Sequence, residues 1–342
     1  MRRLCLLGSC LLVLALALGG PLHAQPAQKV VFALNWFAVG DHAAYWVALE
    51  RGYYKARGLD VELQNSKGSG DSIGKVDTGR ADIGLADSAV VIAAVARGAR
   101  IKVVGMVFDK TPLNVWSWRD APITRPKDLE GKTIAAPPGD GQRQVFPAFA
   151  RLHGIDPSKV TWVNVEPAAK IPALAERRVN AVADYTTGLP FYEKAMGKGN
   201  AVMMPWADHG FDMYSMSIIA SEKSMKERAA MLRAFLEASY LGWKDVMENP
   251  KSALEIFKKR VPEIDLAIIE PNMMMGLDLM MGLDLMKTPR YAQHGIGWME
   301  EAKMCASVDL VNTYMGVARK VACPEVYTNE FLSRVELPAS MR

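Results

Sequence analysis

Past its N-terminal stretch, the chain alternates short β-branched runs with helical runs, and this rhythm constrains the fold more than any other feature. Repeated strand–helix units close into a largely parallel sheet covered by helices, an α/β architecture. Val30–Leu34 alternates and is β-branched, so it reads as the first strand. Asp41 is placed to cap a helix through Tyr45, Leu49 and Tyr53 that stops at Gly58 after Lys55 and Arg57. Strand Asp60–Leu63, helix Gly70–Thr78, strand Asp82–Leu85, helix Ser88–Arg97 (stopped by Gly98) and strand Lys102–Phe108 follow.

The rhythm then breaks and restarts. Leu113–Trp118 is extended and aromatic, and Pro122 and Pro126 follow it, so the chain is expected to cross here into a second lobe. A new cycle runs through strand Thr133–Ala136, a glycine turn, a helix to His153, strand Val160–Val165, helix Ile171–Arg177 and strand Ala181–Asp184. A return crossing is expected near Met213–Ala220. Ser224 is then expected to cap a long helix, with Glu227 completing a capping box and Leu232, Phe235, Leu236, Ser239 and Trp243 on its inner face. This assigns 29–115 and 217–342 to one discontinuous lobe and 116–216 to the other, and 342 residues is a length for two domains. Met275–Met280 and Met281–Met286 repeat Met-Gly-Leu-Asp-Leu-Met in tandem. A period of six cannot hold one helix face, so the repeat reads as a duplication in a surface helix or loop, its methionines serving as adaptable filler.

The first 24 residues have the make-up of a secretory signal. Arg2 and Arg3 precede an apolar Leu4–Leu18, Gly19-Gly20-Pro21 breaks it, and cleavage is expected after Ala24. Leu7-Gly8-Ser9-Cys10 resembles a lipoprotein box but precedes most of the apolar stretch. The net charge of +4 on 41 basic and 37 acidic residues is too small for a nucleic-acid partner or a strongly anionic membrane surface. Once Cys5 and Cys10 are removed, Cys305 and Cys323 remain. In an oxidising compartment they form a disulfide or stay as two buried thiols; two cysteines alone make no structural zinc site.

In open α/β sheets, ligands bind beyond the carboxyl ends of strands. That rule selects Trp36 and His42 after the first strand, Ser88 after the third, Asp109 after the next, and Trp116 at the crossing. In the second lobe it selects Gly139, Asp140 and Gly141, then Asp184 and Tyr185. Trp36 either stacks on a flat ligand or plugs a sheet edge; His42 either touches ligand or bonds locally. The glycine turn exposes N–H groups at a helix start, which suits an anionic or carbonyl oxygen, yet Asp140 repels an anion. Asp184 and Tyr185 are either a polar ligand pair or a capping carboxyl beside a packed ring. No HExxH, GxSxG, dinucleotide fingerprint or Walker loop occurs, which favours binding over catalysis. No catalytic residue, metal or cofactor is expected.

Several stretches carry a family likeness. They are Leu34-Asn35-Trp36 with His42, Ala48-Leu49-Glu50-Arg51-Gly52-Tyr53-Tyr54 through Gly58-Leu59-Asp60-Val61, Gly79-Arg80-Ala81-Asp82-Ile83-Gly84, Asp128-Leu129-Glu130-Gly131-Lys132-Thr133-Ile134 and Val179-Asn180-Ala181-Val182. In them the chain resembles the NMT1/THI5-like (SsuA/THI5-like) solute-binding family. The resemblance implies a type II periplasmic binding protein fold, two doubly wound lobes with two crossing strands that close on a ligand. It implies a monomer that delivers a small molecule to an ABC transporter permease in the inner membrane, binding in the periplasm. One enzymatic branch of the family, the pyrimidine synthases, carries a lysine and a histidine in the segment matching Leu85–Ile92, where this chain has Ala86 and Val90. That branch has an iron-binding cysteine run where this chain reads Phe211-Asp212-Met213-Tyr214-Ser215-Met216. Without an amine no Schiff base forms, and without thiolates the iron lacks ligands. The expected cargo is a planar heterocycle or aromatic compound, like a thiamine-pyrimidine precursor, with aromatic faces around its ring and Asp109 or Asp184 accepting its N–H groups. The competing reading is a sulfonate- or nitrate-type anion held by Arg143 and the glycine turn.

Overall fold

The computed structural model describes residues 26–281 and 293–338. The expected signal segment, and all but the first residue of the second hexapeptide, lie outside them. The chain opens with β1 (Gln28–Ala33), α1 (Ala43–Glu50), β2 (Leu59–Gln64), α2 (Ser69–Asp77), β3 (Ile83–Asp87), α3 (Ser88–Ala96) and β4 (Ile101–Met106). There follow β5 (Leu113–Trp118), β6 (Thr133–Ala135), α4 (Gly141–Leu152), β7 (Thr161–Val163), α5 (Lys170–Ala175), β8 (Ala181–Tyr185), α6 (Leu189–Met196) and β9 (Ala201–Pro205). β10 (Met216–Ser221) leads to α7 (Glu222–Glu227), α8 (Ala229–Glu248), α9 (Pro250–Arg260), α10 (Leu266–Met281), α11 (Glu301–Tyr314) and α12 (Cys323–Val326).

Two five-stranded sheets repeat one plan, β2-β1-β3-β10-β4 and β7-β6-β8-β5-β9. β1 pairs in parallel with β2 and β3, and β6 with β7 and β8. In each sheet one strand arrives from the other half of the chain and runs antiparallel to both neighbours: β10 between β3 and β4, β5 between β8 and β9. Parallel pairing needs helical crossovers, which is why the strand–helix rhythm was so regular.

The first sheet buries Phe32 edge-on against Tyr45 and Phe235, at 4.9 Å each. Leu232, Phe235, Leu236, Ser239 and Trp243 of α8 are all buried. Gly242 lets α8 approach α1 closely, since a Cβ there would lie 2.2 Å from the Ala44 carbonyl oxygen. Every residue of α3 is buried, because it packs on α4 and α11 as well as on its own sheet. A helix apolar on all sides is the expected result. Cys305 of α11 and Cys323 of α12 are joined by a disulfide.

Two local expectations are corrected. Asp41 caps nothing: it sits in a 3-10 turn, Gly40–His42, that precedes α1, and its carboxyl turns toward the second lobe. Ser224 is not the cap of the long helix either. Ser221, at the end of β10, caps the short α7 by accepting from the Ser224 N–H at 3.1 Å. The chain breaks at Arg228, whose guanidinium is held by Asp82 and by the Lys29 carbonyl, before α8 begins. The first hexapeptide falls in a helix, with Asp278 exposed. It lies in α10 with Leu277 and Met280 buried, against the Gly40–His42 turn and α6.

Candidate functional site

The loops that leave β1, β6 and β8 meet across the cleft between the sheets, and α2 and α10 close its sides. They enclose a cavity of about 90 Å³. Trp36, Phe37, Tyr185 and Phe191 supply its flat walls. Trp36 and Phe37 have ring centroids 5.2 Å apart, and the Lys170 ammonium lies 4.7 Å over the Trp36 ring, a cation–π contact across the cleft.

Lys170 organises the second-lobe wall. It is 2% exposed, donates to Asp140 Oδ2 at 2.9 Å and lies 3.2 Å from Asp184 Oδ1. Burial works against its ammonium, but the two carboxylates outweigh that and raise its pKa above the ordinary lysine value. Asp140 caps α4, accepting from the Gln142 N–H at 3.0 Å, and burial raises its pKa despite Lys170. Asp184 also accepts from the Tyr192 hydroxyl at 3.0 Å.

The first-lobe wall is built on Asp41 and His42. Asp41 Oδ2 accepts from the Thr187 hydroxyl at 2.8 Å, an interlobe bond; burial pushes its pKa up to about 7, against the Thr187 bond. His42 Nε2 lies 2.9 Å from Asn35 Oδ1, and burial lowers its pKa to about 4, which keeps the ring neutral at pH 7. Asn272 of α10 ties the lobes together. Its Oδ1 accepts from the Gly40 N–H at 2.7 Å while its Nδ2 donates to the Thr187 carbonyl at 2.8 Å.

Of the residues selected from sequence, Trp36, His42, Asp140, Gly141, Asp184 and Tyr185 line the cavity together. Four others do not. The Ser88 hydroxyl is turned away to the Ser215 carbonyl, at 2.7 Å. Asp109 is buried under α10, its N–H donating to the Leu279 carbonyl at 3.1 Å and its own carbonyl accepting from Lys303. Trp116 stacks on Tyr192 at 4.5 Å behind the wall, donating to the Tyr185 carbonyl. Gly139 makes a backbone contact across the cleft, where its carbonyl accepts from the Gly70 N–H at 3.1 Å. Arg143 is engaged by the Ala136 carbonyl and Asn164, away from the lining. Sequence reasoning missed Asp41, Thr187, Lys170 and Asn272 as cavity residues. Among the described residues, no group of three or more His, Cys, Asp or Glu side chains is arranged to hold a metal ion, and no helix is long and apolar enough to cross a membrane.

Residues 39–253 match the profile of the NMT1/THI5 like family. The chain belongs to that family. The riboflavin-binding protein RibY of Chloroflexus aurantiacus is 23% identical to this NMT1/THI5-like chain over 317 residues, covering 91% of this chain and 88% of RibY. The formylaminopyrimidine-binding protein of Halalkalibacterium halodurans is 24% identical over 248 residues, 72% of this chain and 74% of that protein. The 4-amino-5-hydroxymethyl-2-methylpyrimidine phosphate synthase of Schizosaccharomyces pombe matches over only 145 residues, at 27% identity, 41% of this chain and 42% of the synthase. The alkanesulfonate-binding protein SsuA of Xanthomonas axonopodis pv. citri superposes with a TM-score of 0.66 at 15% identity, covering 91% of this chain and 99% of SsuA; that likeness shows the fold alone. The NMT1/THI5-like chain thus has the type II periplasmic binding protein fold, two α/β lobes with two exchanged strands. RibY and the formylaminopyrimidine-binding protein are binding proteins by name, while a 4-amino-5-hydroxymethyl-2-methylpyrimidine phosphate synthase of Legionella pneumophila matches over 244 residues at 22% identity, 69% of this chain and 75% of the synthase.

Proposed function

We propose that the protein is the solute-binding component of an ABC importer, exported to the periplasm by its N-terminal signal, where it works as a monomer and passes cargo to an inner-membrane permease. The cargo is a small planar heterocycle or aromatic compound, bound and released without chemical change. The lobes, exchanging near residues 115 and 216, close on it by a hinge motion that the ligand stabilises. One observation carries the reading: an aromatic-walled cavity between two lobes whose lysine is already matched by two carboxylates, with a third, Asp41, left over.

This balance disfavours the anion reading. Lys170 is already matched by two carboxylates and Arg143 lies away from the lining, so a sulfonate or nitrate would meet three carboxyl groups and, among the described lining residues, no free cation. Size narrows the choice as well. An apolar cavity of about 150 Å³ holds one benzene, so at about 90 Å³ even a single ring needs the walls to part somewhat, and a flavin-sized tricycle needs them to part much further.

Titration of tryptophan emission with pyrimidines and with taurine tests the assignment. Quenching by a pyrimidine and none by taurine supports it, while the reverse overturns it. Mass spectrometry of material released on denaturation identifies the cargo, and recovery of a chemically altered ligand after incubation would establish an enzyme instead.

A further inference from the structure

The two crossings between the lobes lie side by side. Residues 107–112 carry the chain from β4 to β5, and residues 206–215 bring it back from β9 to β10. They bond to each other: the Phe108 N–H donates to the Met216 carbonyl at 3.0 Å, and the Ser215 N–H to the Phe108 carbonyl at 3.1 Å. The start of α11 grips both. The Lys303 ammonium donates to the Asp109 carbonyl of the first crossing and lies 4.9 Å from the centre of the Tyr214 ring in the second. The Tyr214 hydroxyl accepts from the Glu300 N–H at 3.1 Å, and the Tyr214 N–H donates to Ser307 Oγ at 3.3 Å. The rest of α11 spans the lobes. Its buried face, Met304, Val308 and Val311, joins one apolar core with Val91 and Val95 of α3 in the first lobe and with Phe146 and Phe149 of α4 in the second. Cys305 of the same helix is bonded to Cys323 of α12, and that segment is fixed to the first lobe: Tyr327 pairs with Val103 of β4, and the Lys102 ammonium donates to the Pro324 carbonyl at 2.7 Å. Rotation of the lobes about the crossings must therefore drag the apolar face of α11 across α4 or lift α11 away from α12. The covalent bridge forbids the second.

We propose that α11 is a hinge brace: strapped to the first lobe by Cys305–Cys323 and holding both crossings through Lys303, it limits how far the cleft opens. This rests on the hinge motion proposed above and assigns its regulation. The cleft opens by a short slide of α4 on α11, the shear of packed helices, and the disulfide sets the range of that slide. Without the bridge α11 travels with α4 and the cleft gapes. Lys303 acts as a positioning residue, because it touches the crossings and lies outside the lining of the cleft.

Electron–electron distance measurements on the full chain, without cargo, test the brace. Maleimide spin labels go on Asp60→Cys and Thr161→Cys, exposed positions on β2 and β7, the outer strands of the two sheets. The loops after these strands face each other across the cleft, where Lys67 and Glu166 pair at 2.8 Å, so the label distance follows opening. In this background Cys305→Ser with Cys323→Ser should broaden the distance distribution and move its mean outward, and Lys303→Met should do the same. Lys303→Arg, which keeps a donor and a cation over the Tyr214 ring, should stay as narrow as the parent. So should Phe257→Ala, which loses packing on Trp46 at 5.2 Å and lowers stability away from the crossings. Should the serine pair not fold, Lys303→Met and Lys303→Arg carry the test. Parent-like distributions in the serine pair and in Lys303→Met, or equal broadening in Phe257→Ala, overturn the brace. Adding a pyrimidine to the labelled parent reads the binding function separately: no inward shift counts against that function, while the brace is decided by the cargo-free variants.

Discussion

Replacing Lys170 with methionine removes an ammonium from between two carboxylates and keeps most of the side chain's bulk. The Lys170–Asp140 contact is 2.9 Å, with both side chains at most 3% exposed, so Asp140 is left charged and dry. Breaking a buried pair on one side costs about 3–5 kcal/mol. The Asp184 contact, at 3.2 Å, adds less, because that side chain is 23% exposed and water can take over from the ammonium. A deficit of about 3–5 kcal/mol is therefore expected at pH 7, dominated by Asp140. Its pH dependence follows from the direction of the Asp140 shift, which is upward from 3.8 even with Lys170 present and goes further without it. A carboxyl whose folded pKa is raised weakens the fold progressively as pH rises from the unfolded value to the folded one, and not below it. The deficit of Lys170→Met should thus shrink as pH falls from 7 toward 4. Urea denaturation of both proteins, followed by tryptophan emission at pH 7 and pH 5, measures it. A deficit under about 1 kcal/mol at pH 7 would refute the account of an organising buried ion pair, and so would one that grows on acidification.

Asp41, with its pKa raised from 3.8 to about 7, follows the same sign: its charge weakens the closed form as pH climbs through that window. Asp41→Asn should therefore raise the melting temperature at pH 8 and leave it nearly unchanged at pH 4; a lower value at pH 8 contradicts the shift. Gly68 has φ of +120°, and a Cβ there would fall 2.2 Å from the Gly139 carbonyl oxygen of the other lobe. Gly68→Ala should cost about 1–3 kcal/mol and hold the cleft ajar, seen as a larger radius of gyration in X-ray scattering with cargo present. Cys305 and Cys323 are 18 residues apart, so serine at both positions should cost about 3 kcal/mol in chemical denaturation. A reductant should reproduce that loss in the wild type.

The strand–helix order was legible because it depends on local periods: β1 and β4 carry the β-branched pairs Val30-Val31 and Val103-Val104, and Gly58 and Gly98 stop their segments with φ of +71° and +100°. The positions Trp36, His42, Asp140 and Tyr185 were legible because strand carboxyl ends converge on ligands. That rule chooses a loop but not the direction of a side chain. Ser88 and Trp116 sit in the right neighbourhood and point to backbone carbonyls instead. Asp41 resembled a helix cap because its real partner, Thr187, is 146 residues away. Asn272 meets Gly40 across 232 residues, a distance over which no local pattern carries information. Lys170 had no signal at all: among alanines at a helix start it looks like an ordinary solvated lysine, and only the neighbouring carboxylates reveal why it is buried.

The exchanged strands set an order of assembly. Synthesis releases all five strands of the second sheet by residue 205, whereas the first keeps a vacant slot between β3 and β4 until residue 221 has emerged. The part of the chain that begins later can therefore be finished sooner. A nascent chain stopped between those two points would pair one whole sheet with one gapped sheet, whose bare edges of β3 and β4 invite the wrong neighbour.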